Sequence, residues 1–217
     1  MSSIVINGDT SGSVTLSAPA VAGATTLTLP STSGTVLTSA SSISTSQLSG
    51  SISSSSLPAG SVLQVVSTDY TGTASSTSAT PADVSGFSAT ITPSSSSNKI
   101  LVFVSVAFGF NNDAYPYVLL KRNSTSISVG TSATGSRLNT FLSGTGTNSA
   151  GSTIYKLHQA SKSYLDSPSS TSALTYQIQL ASPYAGIIGY INRPYNGDDA
   201  SYVQYPTSSI TLMEIKG

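Results

Sequence analysis

The chain has 217 residues, no Cys and no Trp, and its 8 basic and 8 acidic residues give a formal net charge of zero. So few basic residues exclude the electrostatic footprint of a nucleic-acid-binding protein, and no run approaches the roughly 18 apolar residues of a membrane-inserted helix. The lack of Cys excludes disulfides, thiolate metal sites and a Cys nucleophile. The first residues lack a basic region followed by an apolar stretch, so we expect no secretory signal peptide.

Charged and aromatic residues are concentrated in the second half of the chain. Residues 1–98 contain three acidic residues and no Lys or Arg, whereas residues 99–217 contain all 8 basic residues and every Tyr except Tyr70. The chain holds 48 Ser and 27 Thr, yet 38% of its residues are hydrophobic, which is enough for a core and argues against disorder. We expect a slender, weakly charged first part followed by a folded domain.

Residues 1–38 are predicted to form short β-strands punctuated by turns. Ile4–Ile6 precede the turn sequence Asn7-Gly8-Asp9, and Thr-rich runs with branched residues follow between Gly and Pro. A segment this short, with so few large side chains, cannot bury a core of its own. Copies of itself or another protein must complete it, through its apolar residues Ile4, Ile6, Val14, Leu16, Leu27, Leu29, Val36 and Leu37.

Residues 39–60 form a Ser-rich stretch with sparse apolar residues. Ile43, Leu48, Ile52 and Leu57 are spaced by 5, 4 and 5 residues, which fits neither a heptad nor strand alternation. One interpretation is a flexible Ser-rich linker. The other is a thin shaft in which each apolar residue meets its symmetry mates on an axis, and the regular spacing favours the shaft.

Residues 61–217 are predicted to form one all-β domain. No window shows sustained helical periodicity with caps, and short apolar runs alternate with Gly, Pro, Asn and Ser clusters, a pattern typical of an antiparallel sandwich or barrel. The predicted strands are Val62–Ser67, Phe87–Ile91, Lys99–Phe110, Tyr117–Arg122, Thr125–Gly130, Arg137–Leu142, Thr153–Gln159, Ser163–Leu165, Leu174–Leu180, Gly186–Arg193 and Ser209–Lys216.

The strand Lys99–Phe110 is the most informative because both of its faces are apolar. One face carries only branched and aromatic residues, and the other carries Leu101, Phe103, Ser105, Ala107 and Gly109. A sandwich strand usually buries one face and exposes the other to water, so this strand needs a second layer. An oligomer interface supplies that layer most simply, and a covering loop is the alternative. The two-faced last strand also favours self-association, with Ile43, Leu48, Ile52, Leu57, Leu101 and Phe103 as interface candidates.

The residues indicate no catalytic centre. His158 is the only His, and no Gly-x-Ser-x-Gly elbow accompanies the many Ser residues, so a Ser-His-Asp triad has no support. A metal site needs more His or Cys than the chain has. Asp198 and Asp199 are adjacent, which favours a turn over the facing carboxylates of a glycosidase. We therefore expect no enzyme activity, no cofactor and no metal.

Aromatic and polar residues cluster in two predicted loops. Five Tyr fall in the tract 182–205, where Pro194 and Asn196-Gly197 break the strand, and Tyr115-Pro116-Tyr117 forms a second cluster. Phenol rings stack on sugar rings, Asn, Asp and Arg bind hydroxyls, and Tyr and Arg are frequent at protein-binding hot spots. Burial of several of these Tyr in the core or between subunits is the alternative. The candidate receptor-binding residues are Tyr115, Tyr117, Tyr184, Tyr190, Asn192, Arg193, Tyr195, Asn196, Asp198, Asp199 and Tyr202.

Two stretches resemble the fibre proteins of tailed bacteriophages. Residues 12–38, with Gly12–Leu16 and Thr26–Pro30, resemble the amino-terminal segment that attaches such fibres to the virion. The second resemblance is to marine phage fibre tips, through the order of Lys99–Val102, Leu119–Arg122, Ser163–Pro168, Thr175–Gln179 and Ser209–Ile215. Those tips are similar to the trimeric jelly rolls of the tumour-necrosis-factor and complement families. The resemblance implies a homotrimer with its amino end on the virion and its tip outward.

The expected organisation is a virion-attachment β segment over residues 1–38, a linker or shaft over residues 39–60 and a jelly-roll tip over residues 61–217. The expected function is a non-enzymatic virion protein, a homotrimeric tail or baseplate-associated fibre made in the bacterial host cytoplasm. Its expected partners are copies of itself, other virion proteins and a host surface polysaccharide or protein. The alternatives are a capsid-surface head fibre or decoration protein, a monomeric lectin-like adhesin and a polysaccharide-degrading enzyme.

Overall fold

A computed structural model describes residues 3–7, 9–17, 21, 23, 26, 31, 52–110, 115–131, 133–144, 155–183 and 187–217. The chain divides into two compact units, Met1–Ser51 and Ile52–Gly217. The described residues form antiparallel β-sheets and a 3-10 turn at Ser54–Ser56, with no α-helix among them. The prediction of an all-β protein is confirmed.

The first unit contains an antiparallel hairpin of two strands, β1 (Ser3–Asn7) and β2 (Ser13–Ser17). Its register places Ile4 opposite Leu16 and Ile6 opposite Val14. The side chains of Ile4 and Ile6 are 66% and 57% exposed. A surface that covers those two side chains would remove their apolar area from water.

The larger sheet of the second unit has six strands: β3 (Val62–Tyr70), β4 (Ala74–Ser76), β6 (Lys99–Phe110), β10 (Leu157–Asp166), β12 (Gly189–Ile191) and β13 (Ser208–Ile215). Strand β6 is its centre. Strands β13 and β12 pair with different ends of β6 and carry β3 and β4 outside them, while β10 pairs with β6 over almost its whole length. Every pairing is antiparallel.

The second sheet has five strands: β5 (Ala82–Ile91), β7 (Tyr117–Arg122), β8 (Thr125–Ile127), β9 (Leu142–Ser143) and β11 (Leu174–Ala181). Strand β11 pairs with β5 on one side and β7 on the other, and β7 also pairs with β8 and β9. Apolar residues of both sheets form one buried cluster. The architecture is therefore that of an antiparallel β-sandwich.

Strand β6 supplies the largest share of this core. The face predicted to be branched and aromatic is buried along its length, with no residue more than 4% exposed: Ile100, Val102, Val104, Val106, Phe108 and Phe110. Phe87, Leu120 and Ile178 of the other sheet are fully buried in the same cluster. Burial of large apolar side chains of this kind is the dominant favourable contribution to folding.

A buried ion pair joins the two sheets. Asp166, at the end of β10, accepts hydrogen bonds from Arg122 Nη1 and from the Tyr176 hydroxyl, each at 2.7 Å, and both donors belong to the five-stranded sheet. Burial, followed by the hydrogen bond to Asp166, raises the pKa of the Tyr176 phenol, which stays protonated and donates. The carboxylate is therefore satisfied from two strands of the opposite sheet.

A second buried carboxylate fixes the loop before β6. Glu214 of β13 accepts hydrogen bonds from the Ser94 amide and from Asn98 Nδ2, both at 2.6 Å, and from Gln64 Nε2 at 2.6 Å. Burial raises the pKa of Glu214, but the hydrogen bonds from Asn98, Gln64 and Ser94 outweigh it and hold the pKa below its usual value. The side chain thus stays ionised although it is almost completely buried.

Residues 52–60 belong to the second unit and are held beside the start of β6. Lys216 Nζ donates to the carbonyl oxygens of Ser54 and Ser55, at 2.9 and 3.0 Å, and to that of Leu57. The Gly60 amide donates to the Lys216 carbonyl at 2.8 Å. One cation therefore binds three carbonyl groups around the 3-10 turn, which fixes where the chain enters this unit.

The strand predictions are most accurate where the apolar pattern is longest. Lys99–Phe110 and Tyr117–Arg122 have the predicted bounds. The end of the prediction Thr153–Gln159 and all of Ser163–Leu165 fall on one strand, β10, because its central Ser and Lys residues keep the strand alternation; residues 153 and 154 lie outside the described residues. Strand β4 was not predicted, since it consists of one Ala and two Ser without a branched or aromatic residue.

Three predicted strands are shorter than expected, for local reasons. Ser128 and Asn192 adopt left-handed backbone conformations, with φ of 55° and 62°, and these residues end β8 and β12. The prediction Arg137–Leu142 retains only its last residue in β9, because the Arg137 amide donates to the Thr134 carbonyl in a turn.

Candidate functional site

The second face of β6 is covered at one end and open at the other. Ala107 and Gly109 are buried beneath the chain that follows β12, where the Asn192 amide donates to the Ala107 carbonyl at 2.9 Å. A Cβ placed on Gly109 would lie 1.8 Å from the Arg193 carbonyl oxygen, so only Gly permits this approach. At the start of the strand, Phe103 is 42% exposed. The covering loop therefore supplies the expected second layer over one half of β6 only.

Apolar side chains from four neighbouring strands meet on the open half. The register places Leu101 of β6 between Leu165 of β10 and Met213 of β13, and Met213 beside Val65 of β3. Phe103 lies two residues further along the same face. Val65, Phe103 and Leu165 are 55%, 42% and 48% exposed, and the other two are half-buried. These five residues are named the apolar patch.

Hydroxyl groups border the apolar patch and are hydrogen-bonded to one another. The Ser67 and Thr211 hydroxyls lie 2.8 Å apart, and Gln159 Nε2 donates to the Ser105 hydroxyl. The patch itself contains no charged side chain. A partner surface that covers it would therefore remove apolar area from water without leaving these polar groups unpaired.

Tyrosines gather at the opposite end of β6, where Tyr190 pairs with Gly109. The rings of Tyr190 and Tyr195 meet edge to face with centroids 6.1 Å apart, and those of Tyr155 and Tyr202 do so at 5.0 Å. Tyr195, Tyr202 and Tyr205 are 38%, 59% and 55% exposed. The name tyrosine surface is used for this group: Tyr155, Tyr190, Arg193, Tyr195, Asn196, Asp198, Tyr202 and Tyr205.

A hydrogen-bonded triad orders the polar part of the tyrosine surface. The Tyr155 hydroxyl donates to Asp198 Oδ2 at 2.7 Å, and Asn196 Nδ2 donates to the same oxygen at 2.9 Å and to the Tyr155 hydroxyl at 3.0 Å. The hydrogen bond to Asp198 is the main cause that raises the pKa of Tyr155 to about 12, so the phenol remains a donor at neutral pH. Asp198 is exposed, and its Oδ1 accepts no hydrogen bond from the described residues.

Arg193 is held by its own loop. Its guanidinium carbon lies 4.7 Å from the centroid of the Tyr190 ring, and its Nε and Nη2 donate to the carbonyl oxygens of Pro194 and Tyr195 at 3.2 and 3.4 Å. A Cβ on Gly197 would lie 3.0 Å from Arg193 Nη2 and 3.2 Å from the Tyr205 hydroxyl, so the loop folds tightly here. The cation therefore stabilises the shape of the tyrosine surface.

Asn192 anchors this loop from the interior. Its Nδ2 donates to the carbonyl oxygens of Tyr70 and Gly72 at 2.6 and 2.8 Å, and its Oδ1 accepts from the Ser208 hydroxyl at 2.6 Å. The Ser208 hydroxyl in turn accepts from the Ala107 amide. One buried polar cluster thus fixes the loop where it leaves β12 and where it enters β13.

The structure brings together most of the predicted receptor-binding residues. Tyr190 lies on β12, and the loop between β12 and β13 carries six more, all exposed or partly buried: Arg193, Tyr195, Asn196, Asp198, Asp199 and Tyr202. Tyr117 and Asn192 are placed in the interior instead: the Tyr117 hydroxyl donates to the Ala79 carbonyl, and Asn192 is fully buried. Tyr115 is exposed before β7, and Tyr184 lies outside the described residues.

Two members of the tyrosine surface were not among the predicted residues. Tyr205 falls within the Tyr-rich tract, so composition alone was a sufficient signal for it. Tyr155 is 43 residues from Asp198 in sequence and joins the group only through the pairing of β10 with β6. No local pattern in the sequence marks it.

The other predicted contact residues are placed less completely. Leu101 and Phe103 lie in the apolar patch, Ile52 is exposed and Leu57 is half-buried beside Lys216. Ile4, Ile6, Val14 and Leu16 lie on the hairpin. The remaining candidates lie outside the described residues: Leu27, Leu29, Val36, Leu37, Ile43 and Leu48.

The described part of the chain contains no cluster of metal-binding side chains. Three or more His, Cys, Asp or Glu do not converge anywhere within it. No helix in that part is both long and apolar enough to cross a membrane. His158 lies on β10, and its Nδ1 is buried without a hydrogen-bond partner among the described residues.

The sequence matches no model of a known protein family, and no curated protein matches it. Function is therefore inferred from the three features described above: the apolar patch, the tyrosine surface and the apolar hairpin.

Proposed function

We propose that this chain is a structural protein of a bacteriophage virion and forms a homotrimeric tail or baseplate-associated fibre. In this proposal residues 61–217 are a jelly-roll tip that binds the host surface, residues 39–60 are the shaft and residues 1–38 attach the fibre to other virion proteins. The proposal assigns the chain no enzyme activity and no cofactor.

The apolar patch is the observation that carries the proposal. Val65, Phe103 and Leu165 lie on one sheet face, linked through Leu101 and Met213, and in an isolated chain about half of each residue stays in water. A contiguous apolar patch with a polar border is typical of protein–protein interaction sites. A further copy of the chain is the inferred cover, because the five patch residues are uncharged and the bordering Ser67 and Thr211 hydroxyls are paired with each other. The number of three copies is taken from the resemblance to trimeric fibre tips.

The direction of the second unit supports its role as a tip. Lys216 binds residues 52–60 beside Lys99, at the start of β6, whereas Tyr190 pairs with Gly109 near its end. Ten residues of strand separate Lys99 from Gly109, which is about 33 Å at the usual strand rise. A fibre that enters the unit at one end therefore presents its tyrosine surface at the other.

The hairpin of the first unit supports attachment. Ile4 and Ile6 are more than half exposed on a two-stranded ribbon. Edge strands and apolar side chains of this kind pair readily with another protein. In the proposal these residues pack against the virion.

The solution mass of the full chain, measured by light scattering at several concentrations, tests this proposal. We expect the mass of three 21.9 kDa chains, retained on dilution because the interface is apolar. A monomer at all concentrations would contradict the trimer and the fibre with it. A monomeric lectin-like domain would then be the better account.

A further inference from the structure

The chemistry of the tyrosine surface identifies a class of ligand. We propose that this surface binds a neutral glycan, an inference that rests on the host-binding function proposed above. Three kinds of observation carry it: exposed phenol rings, an oriented carboxylate, and a balance of charges.

Exposed rings supply the apolar part of the site. Tyr202 is 59% exposed and is held edge to face against Tyr155, and no ring of the described residues stacks on it. Tyr195 and Tyr205 present two more rings on the same loop. The C–H face of a pyranose ring is flat and apolar, and a phenol ring that is already fixed in place binds it at little cost in side-chain entropy.

An oriented carboxylate supplies the polar part. Tyr155 and Asn196 both donate to Asp198 Oδ2, which fixes the carboxylate, and none of the described residues donates to Oδ1. Hydroxyl groups that donate to a carboxylate form short, charge-assisted hydrogen bonds. Because the triad is formed before the ligand arrives, little ordering is required on binding. A sugar whose ring stacks on a phenol and whose hydroxyl donates to the carboxylate matches both the apolar and the polar part of the site.

The charges around the site favour a neutral ligand over an anionic one. Arg193 and the exposed Lys156 are balanced by Asp198 and Asp199. Arg193 uses two of its five N–H groups on carbonyl groups and stacks on Tyr190, which directs much of its donor capacity to its own loop. A uronic or sialic acid carboxylate that takes the place of a sugar hydroxyl beside Asp198 would be repelled by it. A neutral hexose or N-acetylhexosamine chain meets no such penalty.

The test uses the full chain, fluorescently labelled and applied to an array that holds neutral hexose and N-acetylhexosamine oligosaccharides beside uronic-acid and sialic-acid glycans. We expect binding to neutral glycans, weakened about tenfold or more by Tyr202→Ala and by Asp198→Asn. Two matched variants, Leu138→Ala and Asp69→Asn, remove an exposed apolar side chain and a negative charge elsewhere and are expected to bind normally. Circular dichroism confirms that each variant is folded.

Three results would overturn the proposal. They are binding to acidic glycans only, binding to no glycan, and glycan binding that Tyr202→Ala and Asp198→Asn leave unchanged. In parallel, bacterial cells treated with periodate or with protease distinguish a glycan from a protein receptor: tyrosine-dependent binding that survives periodate and is lost after protease would also contradict a glycan. The mass of the same sample separates this failure from that of the fibre, because a trimer without glycan binding leaves the fibre proposal standing.

Discussion

The two halves of strand β6 differ in how their second apolar face is covered. Both carry apolar residues on both faces, and in both one face enters the core of the sandwich. At Ala107 and Gly109 the other face is covered by the chain's own loop, whereas at Leu101 and Phe103 it is open. A strand that is apolar on both faces therefore indicates a second layer without saying whether the same chain supplies it. The proposed trimer supplies the layer that the loop leaves out.

The largest expected effect comes from making the open half polar. The double substitution Phe103→Ser and Leu165→Ser is expected to reduce the solution mass from three chains to one. Both side chains are about half exposed in the single chain, so their loss removes more from the interface than from the core. Light scattering measures the mass, and circular dichroism confirms the fold.

Leu138→Ser is the matched control for that double variant, since Leu138 is equally exposed but lies on a loop of the other sheet. It is expected to leave the mass unchanged. If the double variant keeps the full mass, the apolar patch is not the subunit interface.

Among the residues that hold the loop over the covered half of β6, Asn192 is expected to contribute most to stability. In Asn192→Ala the carbonyl oxygens of Tyr70 and Gly72 lose their donor, and a residue with φ of 62° loses the side chain that tolerates this conformation. We expect a loss of about 3 kcal/mol in the free energy of unfolding, measured by urea denaturation. Asn123→Ala changes an exposed Asn with φ of 53° and is expected to cost less than half as much. Equal losses would show that the buried hydrogen bonds contribute little.

The substitution Gly109→Ala tests the packing of the same loop and is expected to have a smaller effect than Asn192→Ala. A methyl group in Gly109→Ala collides with the Arg193 carbonyl, so the loop must shift away from β6. We expect a loss of about 2 kcal/mol in thermal or urea unfolding together with weaker glycan binding. Gly130→Ala, whose added carbon meets only Asn139 Oδ1 at 3.4 Å, serves as the control. A normal Gly109→Ala protein would mean that the loop is not closely packed on β6.

The smallest expected effect is a pH dependence at the start of β6. The folded pKa of Glu214 is lowered, so its hydrogen bonds stabilise the fold fully above the unfolded pKa of about 4.3, and this contribution is lost as the pH falls through the folded value. Glu214→Gln is expected to cost about 1–2 kcal/mol at pH 7 and to flatten the loss of stability below pH 4.3. Urea unfolding at a series of pH values measures both. If Glu214→Gln loses stability at low pH as steeply as the unsubstituted protein, other carboxylates cause that loss.

The sequence predicts the fold best where a local pattern of residues is enough to identify an element. Strand β6 is recognised because its alternation continues over twelve residues. The loop between β12 and β13 is recognised because it is unusually rich in Tyr. Leu101 and Phe103 were expected at an interface because both faces of β6 are apolar. Val65 and Leu165 were not, because they join the apolar patch only through the register of β3 and β10 with the central strands.

The burial of Asn192 could not be predicted from the sequence. An Asn beside Arg193 and Tyr195 has the composition of a binding loop, and only the three-dimensional placement of Tyr70 and Gly72 reveals its buried hydrogen bonds. Tyr155 shows the converse, since it becomes part of the tyrosine surface through contacts with residues about forty positions away.

Hydroxyl-radical labelling of the full chain in solution tests the central claim most directly, because it compares two residues of one type on one strand. Phe103 is 42% exposed in the single chain and Phe108 is fully buried. If further copies of the chain cover the apolar patch, Phe103 is labelled almost as slowly as Phe108. Rapid labelling of Phe103, at the rate of an open side chain, would contradict the account.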